Sequence, residues 1–285
     1  MEFREVLYAT DGPIATVTLN RPQYRNAQSY RLLDELDAAL ELAVADHAVK
    51  VIIVTGAGEN FSSGHDLGTP EGIAYREELG LVDSGIGYYT SFRKYNLDLT
   101  AKWRNLAKPT IAMVRGYCIF GGWMIASAMD IVFADETARF LPGLVEYFSI
   151  PWDVGHRKAK ELIFESRFID ATEAAELGFV GKVFATGDLE RETREYALRV
   201  AEQSHYFLRI AKLAVNKMQD AQGYSQSVEA AFADYLVVAN PRGGTPDERR
   251  VPGARRLAGV ELALRGMRGQ RPGQPNAEKV ESSGA

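Results

Sequence analysis

The chain has one cysteine, Cys118, in 285 residues. A single thiol can build neither a disulfide framework nor a cysteine-rich metal site. Histidine is nearly as scarce. His47, His65, His156 and His205 lie far apart and show none of the paired spacings of a structural zinc site, so no metal is expected. Long apolar runs are missing: none approaches the ~20 residues that span a bilayer, and no membrane partner is expected. The opening Met1-Glu2-Phe3-Arg4-Glu5 is too charged to begin a secretory signal. An excess of positive charge is also lacking. Lys and Arg total 33 against 38 Asp and Glu, a formal net charge of -5, whereas a nucleic-acid binder more often carries a basic stripe. What remains is 46% hydrophobic and 25% charged. That is the composition of a soluble, cytoplasmic globular protein long enough to bury a full core.

The pattern along the chain is that of an α/β protein. Residues 14–19 are β-branched and bounded by Asp11-Gly12-Pro13 and Arg21-Pro22, which predicts a strand. Leu32, Leu33, Leu36, Ala39, Leu40 and Ala43 recur at helical spacing behind Ser29, a capping residue. Residues 51–54 are wholly apolar, as in a strand buried on both faces. The order repeats with a strand at 110–114, a helix from 122 and a strand at 131–134. Asp170-Ala171-Thr172-Glu173 reads as a capping box opening a helix that Gly178 ends. Residues 191–218 and 225–238 read as mostly helical. The expected division is a core over 1–195, a helical region over 196–268 with a linker-like break after Asn240, and a Gly/Pro/Ser-rich disordered tail over 269–285.

Two short loops carry the chemical information. Asn60-Phe61-Ser62-Ser63-Gly64-His65-Asp66-Leu67 follows one apolar strand, and Gly116-Tyr117-Cys118-Ile119-Phe120-Gly121-Gly122-Trp123 follows another. Glycine lets a backbone approach closely. Two main-chain N–H groups delivered by such loops can converge on one oxygen, which is the recipe for an oxyanion hole.

With these loops the chain resembles the enoyl-CoA hydratase/isomerase, or crotonase, superfamily. Leu19-Asn20-Arg21-Pro22 with Arg25-Asn26-Ala27 is similar to its N-terminal signature, and the two glycine loops to its oxyanion loops. The stretch from Phe168-Ile169-Asp170-Ala171 to Leu177-Gly178-Phe179-Val180 is similar to the helix that follows its active site. The likeness covers roughly residues 5–220 in order. It implies a spiral of repeated β-β-α units with a C-terminal helical region, a choice that periodicity alone does not make. It implies an acyl-CoA substrate, no separate cofactor because coenzyme A is part of the substrate, and a homotrimer or a hexamer of paired trimers. The resemblance makes the N–H groups of His65 and Gly121 the donors to a thioester enolate. It also implies that Ser62, Ser63, Gly64 and Gly122 beside them bind the substrate, with Arg25, Asn26 and Ala27 at the coenzyme A contact.

The departures concern acid and base. A hydratase of this family uses two glutamates to handle water. Met124 stands where the first belongs, and a thioether transfers no proton. An ungapped alignment puts Leu144 at the second, while a small shift brings Glu146 there. Asp153 falls near the catalytic aspartate of some dienoyl-CoA isomerases of the family. Glu146 and Asp153 are therefore the acid/base candidates, with His65 as a third through its imidazole. Tyr88, Tyr89, Phe92 and Tyr95 fall where the family shapes its acyl pocket, though ordinary helical packing accounts for them equally well. The leading expectation is an acyl-CoA-processing enzyme of the hydratase/isomerase family that stabilises a thioester enolate in an oxyanion hole. A double-bond isomerase, a C–C bond hydrolase or lyase, and a non-catalytic CoA-binding scaffold are the alternatives.

Overall fold

The computed structural model describes residues 2–81, 85–143 and 145–239. Leu144, the break after Asn240 and the expected tail lie outside them. Among the described residues the chain makes two sheets. The larger has six strands: β1 (Val6–Asp11), β2 (Ile14–Leu19), β3 (Val51–Gly56), β4 (Thr110–Val114), β6 (Ile131–Asp135) and β9 (Lys182–Phe184), paired in that order. The smaller joins β5 (Tyr117–Ile119), β7 (Arg139–Leu141) and β8 (Ile169–Asp170). From β2 onward the large sheet is parallel, and parallel neighbours require a crossover each time.

Those crossovers make the spiral. Each turn lays a strand in the large sheet, then a short extended piece beside it, then helix. β4 is followed by β5 and then α5 (Gly121–Ala128); β6 is followed by β7, which pairs in parallel with β5. Earlier turns contribute bridges instead of strands: Ser62 pairs with Cys118, and Gln28 with His65. Residues from four successive turns thus stand side by side, and the two glycine loops are neighbours for that reason.

Helices cover the sheets. α1 (Tyr30–Ala45) is capped by Ser29, whose hydroxyl accepts the Leu32 N–H at 3.0 Å, and buries all six of the periodic apolar residues. α2 (Pro70–Glu78) and α3 (Gly85–Arg93) follow the first loop. A wider helical turn, Lys94–Asp98, joins α3 to α4 (Leu99–Arg104). Tyr95 from that turn stacks on Tyr30 at 3.9 Å and hydrogen bonds to Asp34, so it packs against α1. Beyond β7 come α6 (Ile150–Val154), α7 (His156–Glu165) and α8 (Ala171–Glu176), the last capped by Asp170 through the Glu173 N–H.

The helical stretch expected over 191–218 is two helices, α9 (Leu189–Ala201) and α10 (His205–Ala221). Ser204 interrupts it: its hydroxyl accepts the Phe207 N–H at 3.2 Å and starts a new helix. The division expected at residue 195 falls inside α9, which buries Leu189 and Ala197 against Ile53 and Phe133 of the large sheet. α11 (Tyr224–Ala239) returns over the end of α5. Its Tyr224, Val228 and Phe232 bury Met124, Leu97 and Tyr147.

Asn26 lies inside this frame. It is fully buried, and its amide donates to the carbonyls of Ala57 (2.9 Å) and Asn60 (2.7 Å) while accepting the Arg21 N–H (2.9 Å). Asn26→Ala leaves three main-chain groups unpaired in a dry interior. It should lower stability by about 2–4 kcal/mol in urea unfolding.

Candidate active site

The first loop is braced by its neighbours on both sides. Ser62 N–H donates to the Tyr117 carbonyl at 2.9 Å, and Ile119 N–H donates to the Ser62 carbonyl at 3.0 Å. Gln28 N–H donates to the Gly64 carbonyl (2.7 Å) and Asp66 N–H to the Gln28 carbonyl (3.0 Å). The buried Ser62 hydroxyl donates to the Asn26 carbonyl and accepts from Gly64 N–H and the Gln28 amide. Ser63 is tied back to Arg25 through its N–H and to Tyr24 through its hydroxyl.

Gly64 is required by this packing, and Gly121 is crowded by side chains of the neighbouring turns. Gly64 has φ +89°, and a Cβ there would stand 2.7 Å from the Ile119 carbonyl and 3.4 Å from the Gly121 nitrogen. A Cβ on Gly121 would meet the Gln28 Oε1 at 2.2 Å and the His65 Cε1 at 3.0 Å. The two loops are in contact through bare backbone. Gly121 also opens α5, so its N–H belongs to the first-turn set that has no intrahelical acceptor. Phe120 just before it holds φ +48°, ψ -105°, a conformation costly for an aromatic residue.

Glu146 sits on a single 3-10 turn, Val145–Tyr147, and is buried. Its Oε1 lies 3.6 Å from His65 Nε2 and accepts the Tyr235 hydroxyl at 2.9 Å. His65, Gly121 and Glu146, far apart in sequence, are thus gathered at one place. Gly64, Gly122 and Ser62 lie directly behind, since a Cβ on Gly122 would meet the Ser62 carbonyl at 2.9 Å.

The other candidates stand elsewhere. Asp153 accepts hydrogen bonds from Trp123 Nε1 (2.8 Å), Ser149 Oγ (2.9 Å) and Ser127 Oγ (3.0 Å), and makes none to His65 or Glu146. The Trp123 ring it holds is stacked on Phe179 in the main core. Burial pushes the Asp153 carboxyl up to about 6, against the opposing pull of those three donors. Asn26 is consumed by backbone carbonyls, and the nearly buried Ala27 offers its carbonyl to Arg21. Arg25 is exposed, at φ +50°. Arg21, fully buried, pairs with Glu5 and Asp66. Burial alone would raise the Asp66 pKa, but hydrogen bonds from Thr69, Gly68 N–H and Arg21 prevail and hold it below the usual range.

Two residues at the site have no counterpart in the sequence reading. Gln28 gave no signal, being one polar residue before a cap. Tyr235 shares a helix face with Val228 and Phe232, and a tyrosine in an apolar stripe usually seeks a partner for its hydroxyl. Among the described residues no three His, Cys, Asp or Glu side chains gather as metal ligands, and no helix is long and apolar enough to cross a membrane.

The family model described as enoyl-CoA hydratase/isomerase matches residues 9–235. The chain belongs to the enoyl-CoA hydratase/isomerase family. A Mycobacterium tuberculosis protein provisionally named enoyl-CoA hydratase EchA13 is 38% identical over 258 residues, covering 81% of this chain and 79% of its own. A crystal structure from Mycobacterium smegmatis, also provisionally named an enoyl-CoA hydratase, is 37% identical with a TM-score of 0.72, over 80% of this chain and 91% of that one. An enoyl-CoA hydratase/isomerase from Xanthobacter autotrophicus is 30% identical, with a TM-score of 0.80 over 95% of this chain and all of its own. The fold is that of the crotonase superfamily, and the protein is an acyl-CoA-processing enzyme of the hydratase/isomerase family.

The Asp153 carboxyl gives a pH test. Its folded pKa, about 6, lies above the ordinary 3.8, so the folded protein binds this proton more tightly than the unfolded chain does. The resulting stability is present below about pH 4 and lost as pH rises through about 6. Asp153→Asn removes the titration. The stability of the wild type relative to the variant should fall by on the order of 3 kcal/mol between pH 4 and pH 7, measured by urea unfolding.

Proposed function

We propose that the enzyme stabilises the enolate of an acyl-CoA thioester between the main-chain N–H groups of His65 and Gly121, with Glu146 carrying the proton. One observation supports this above the rest: a buried carboxylate stands beside His65, in the loop that packs backbone to backbone on Gly121. The bridge to Gln28 uses the amide of residue 66 and the carbonyl of residue 64. In parallel pairing that turns the His65 N–H toward the opposite edge of the loop. The N-terminus of α5 adds partial positive charge at Gly121. Arg25, exposed at its turn, suits a phosphate of coenzyme A. Coenzyme A comes with the substrate, and no other cofactor enters the scheme.

Among the reactions open to the family, double-bond isomerisation fits best. Hydration needs a second acid/base group to handle water. Met124 occupies that position and is packed in an apolar cluster with Leu97, Tyr147, Tyr224, Val228 and Phe232. A thioether there holds neither proton nor water. One carboxylate suffices to take a proton from the α-carbon and return it two carbons along the dienolate, with no net gain or loss of atoms. Asp153, saturated by three donors in the core, serves the structure in this scheme. The same proposal has the enzyme working in the cytoplasm as a homotrimer or a hexamer. The exposed Tyr206, Phe207, Ile210 and Met218 of α10 supply apolar surface for association.

A panel of straight-chain and aromatic acyl-CoA thioesters in deuterium oxide tests the reading. The wild type should exchange α-protons of at least one member, and Glu146→Gln should lower that rate about 10²–10⁴-fold. Binding without exchange across the panel would favour a scaffold instead.

The Gly121 amide needs a paired comparison, because any Cβ at 121 displaces Gln28. Gly121→Ala adds the Cβ and keeps the N–H; Gly121→Pro removes the N–H as well. The proline variant should exchange a further 10²–10³-fold more slowly, about the loss of one oxyanion donor. Equal rates would remove the Gly121 amide from the chemistry.

A further inference from the structure

We infer that Tyr235, on the last described helix, is a positioning residue for the Glu146 carboxylate, so that α11 of the same chain completes the proton-transfer site. The inference rests on the proposed role of Glu146 and adds a residue that neither the glycine loops nor the N-terminal signature contains.

A single helical turn, Val145–Tyr147, cannot by itself fix a carboxylate. Two successive residues of that turn are held by α11. Tyr235 hydroxyl donates to Glu146 Oε1 at 2.9 Å, and Tyr224 hydroxyl donates to the Tyr147 hydroxyl at 3.0 Å. Residues 224 and 235 are eleven apart, three helical turns, and so share one face. Val228 and Phe232 fill the face between them. Both bonds are buried, and a hydrogen bond donated to a carboxylate away from water is among the stronger kinds.

The hydroxyl is itself aimed. The Tyr235 ring stacks on Phe92 at 5.7 Å and 21°. One residue on, Arg93 clamps α11 with two bonds to Glu229, at 2.6 and 3.0 Å. Trp152 Nε1 donates to Ser227 Oγ at 3.1 Å near the start of α11. The helix is tied through its first turns at Tyr224, Ser227 and Glu229, and farther along it the tyrosine oxygen lands on the carboxylate oxygen that also faces His65 Nε2. Glu146 is thus oriented from two directions, by the first glycine loop and by α11.

Tyr235→Phe keeps the ring and its stack on Phe92 and removes only the hydroxyl. In the full-length protein, with whichever panel thioester the wild type exchanges fastest, kcat for exchange should fall about 10–100-fold while KM stays within about twofold. The unchanged KM also reports an intact fold. In a Glu146→Gln background the same substitution should add less than about twofold, because its effect runs through that carboxylate. A wild-type kcat in Tyr235→Phe, a change confined to KM, or a full additional loss in the double variant would each overturn the inference. Should Glu146→Gln alone keep the wild-type rate, the reading of Glu146 fails first, and the two failures are told apart by that single variant.

Discussion

The contact on which the site depends is backbone against backbone, where the turn at Gly64 meets the turn at Ile119 and Gly121. No side chain fits there: a Cβ on Gly64, which already holds φ +89°, would stand 2.7 Å from the Ile119 carbonyl oxygen. The closeness is a consequence of the spiral. Each turn adds a parallel strand to one sheet and a short extended piece to the other, so loops some 55 residues apart become adjacent rungs, as the Ser62–Cys118 bridge shows. The price is strain at Phe120, whose positive φ is imposed by the need to turn from β5 directly into α5. Cross-bracing by Gln28 and Ser62 holds the arrangement against that strain.

The second constraint is the handling of buried carboxylates. Burial alone disfavours a charged group, so each must find donors. Asp66 collects Arg21, Thr69 and two N–H groups and is held in its ionised form. Asp153 collects an indole and two hydroxyls, but no cation, and its carboxyl is pushed up. Glu146 is treated differently. Its partners come from elements that the chain brings together only at the end, the first loop and α11. Three buried or half-buried acids are thus set apart by their surroundings.

That difference explains what was legible in the sequence. Local signals held: Ser29 and Asp170 cap the helices they precede, the apolar stripe of α1 is buried, and β3 is buried along its whole length. The family signature placed the two glycine loops. Residues whose role depends on distant partners were not legible. Asn26 sits in the signature beside Arg25, yet one points inward to three backbone groups and the other is exposed. Consecutive left-handed residues at 25 and 26 reverse the chain there, and no periodicity announces that. The break at Ser204 was missed because the residues on both sides keep helical spacing.

Met124 is buried in one cluster with residues distant in sequence, among them Val228 and Phe232 of α11. A carboxylate at this position would sit among Leu97, Val228 and Phe232, and the Tyr224 and Tyr235 hydroxyls of that α11 face are already donated to Tyr147 and Glu146. The thioether packs with Val228 and Phe232 instead, on the same helix that brings the Tyr235 hydroxyl to Glu146. The burial of Met124 and the bond from Tyr235 to Glu146 are then two aspects of the same packing. A glutamate introduced at 124 would not fit that packing. Its charge would be buried beside apolar neighbours and would pry α11 from the turn that carries Glu146.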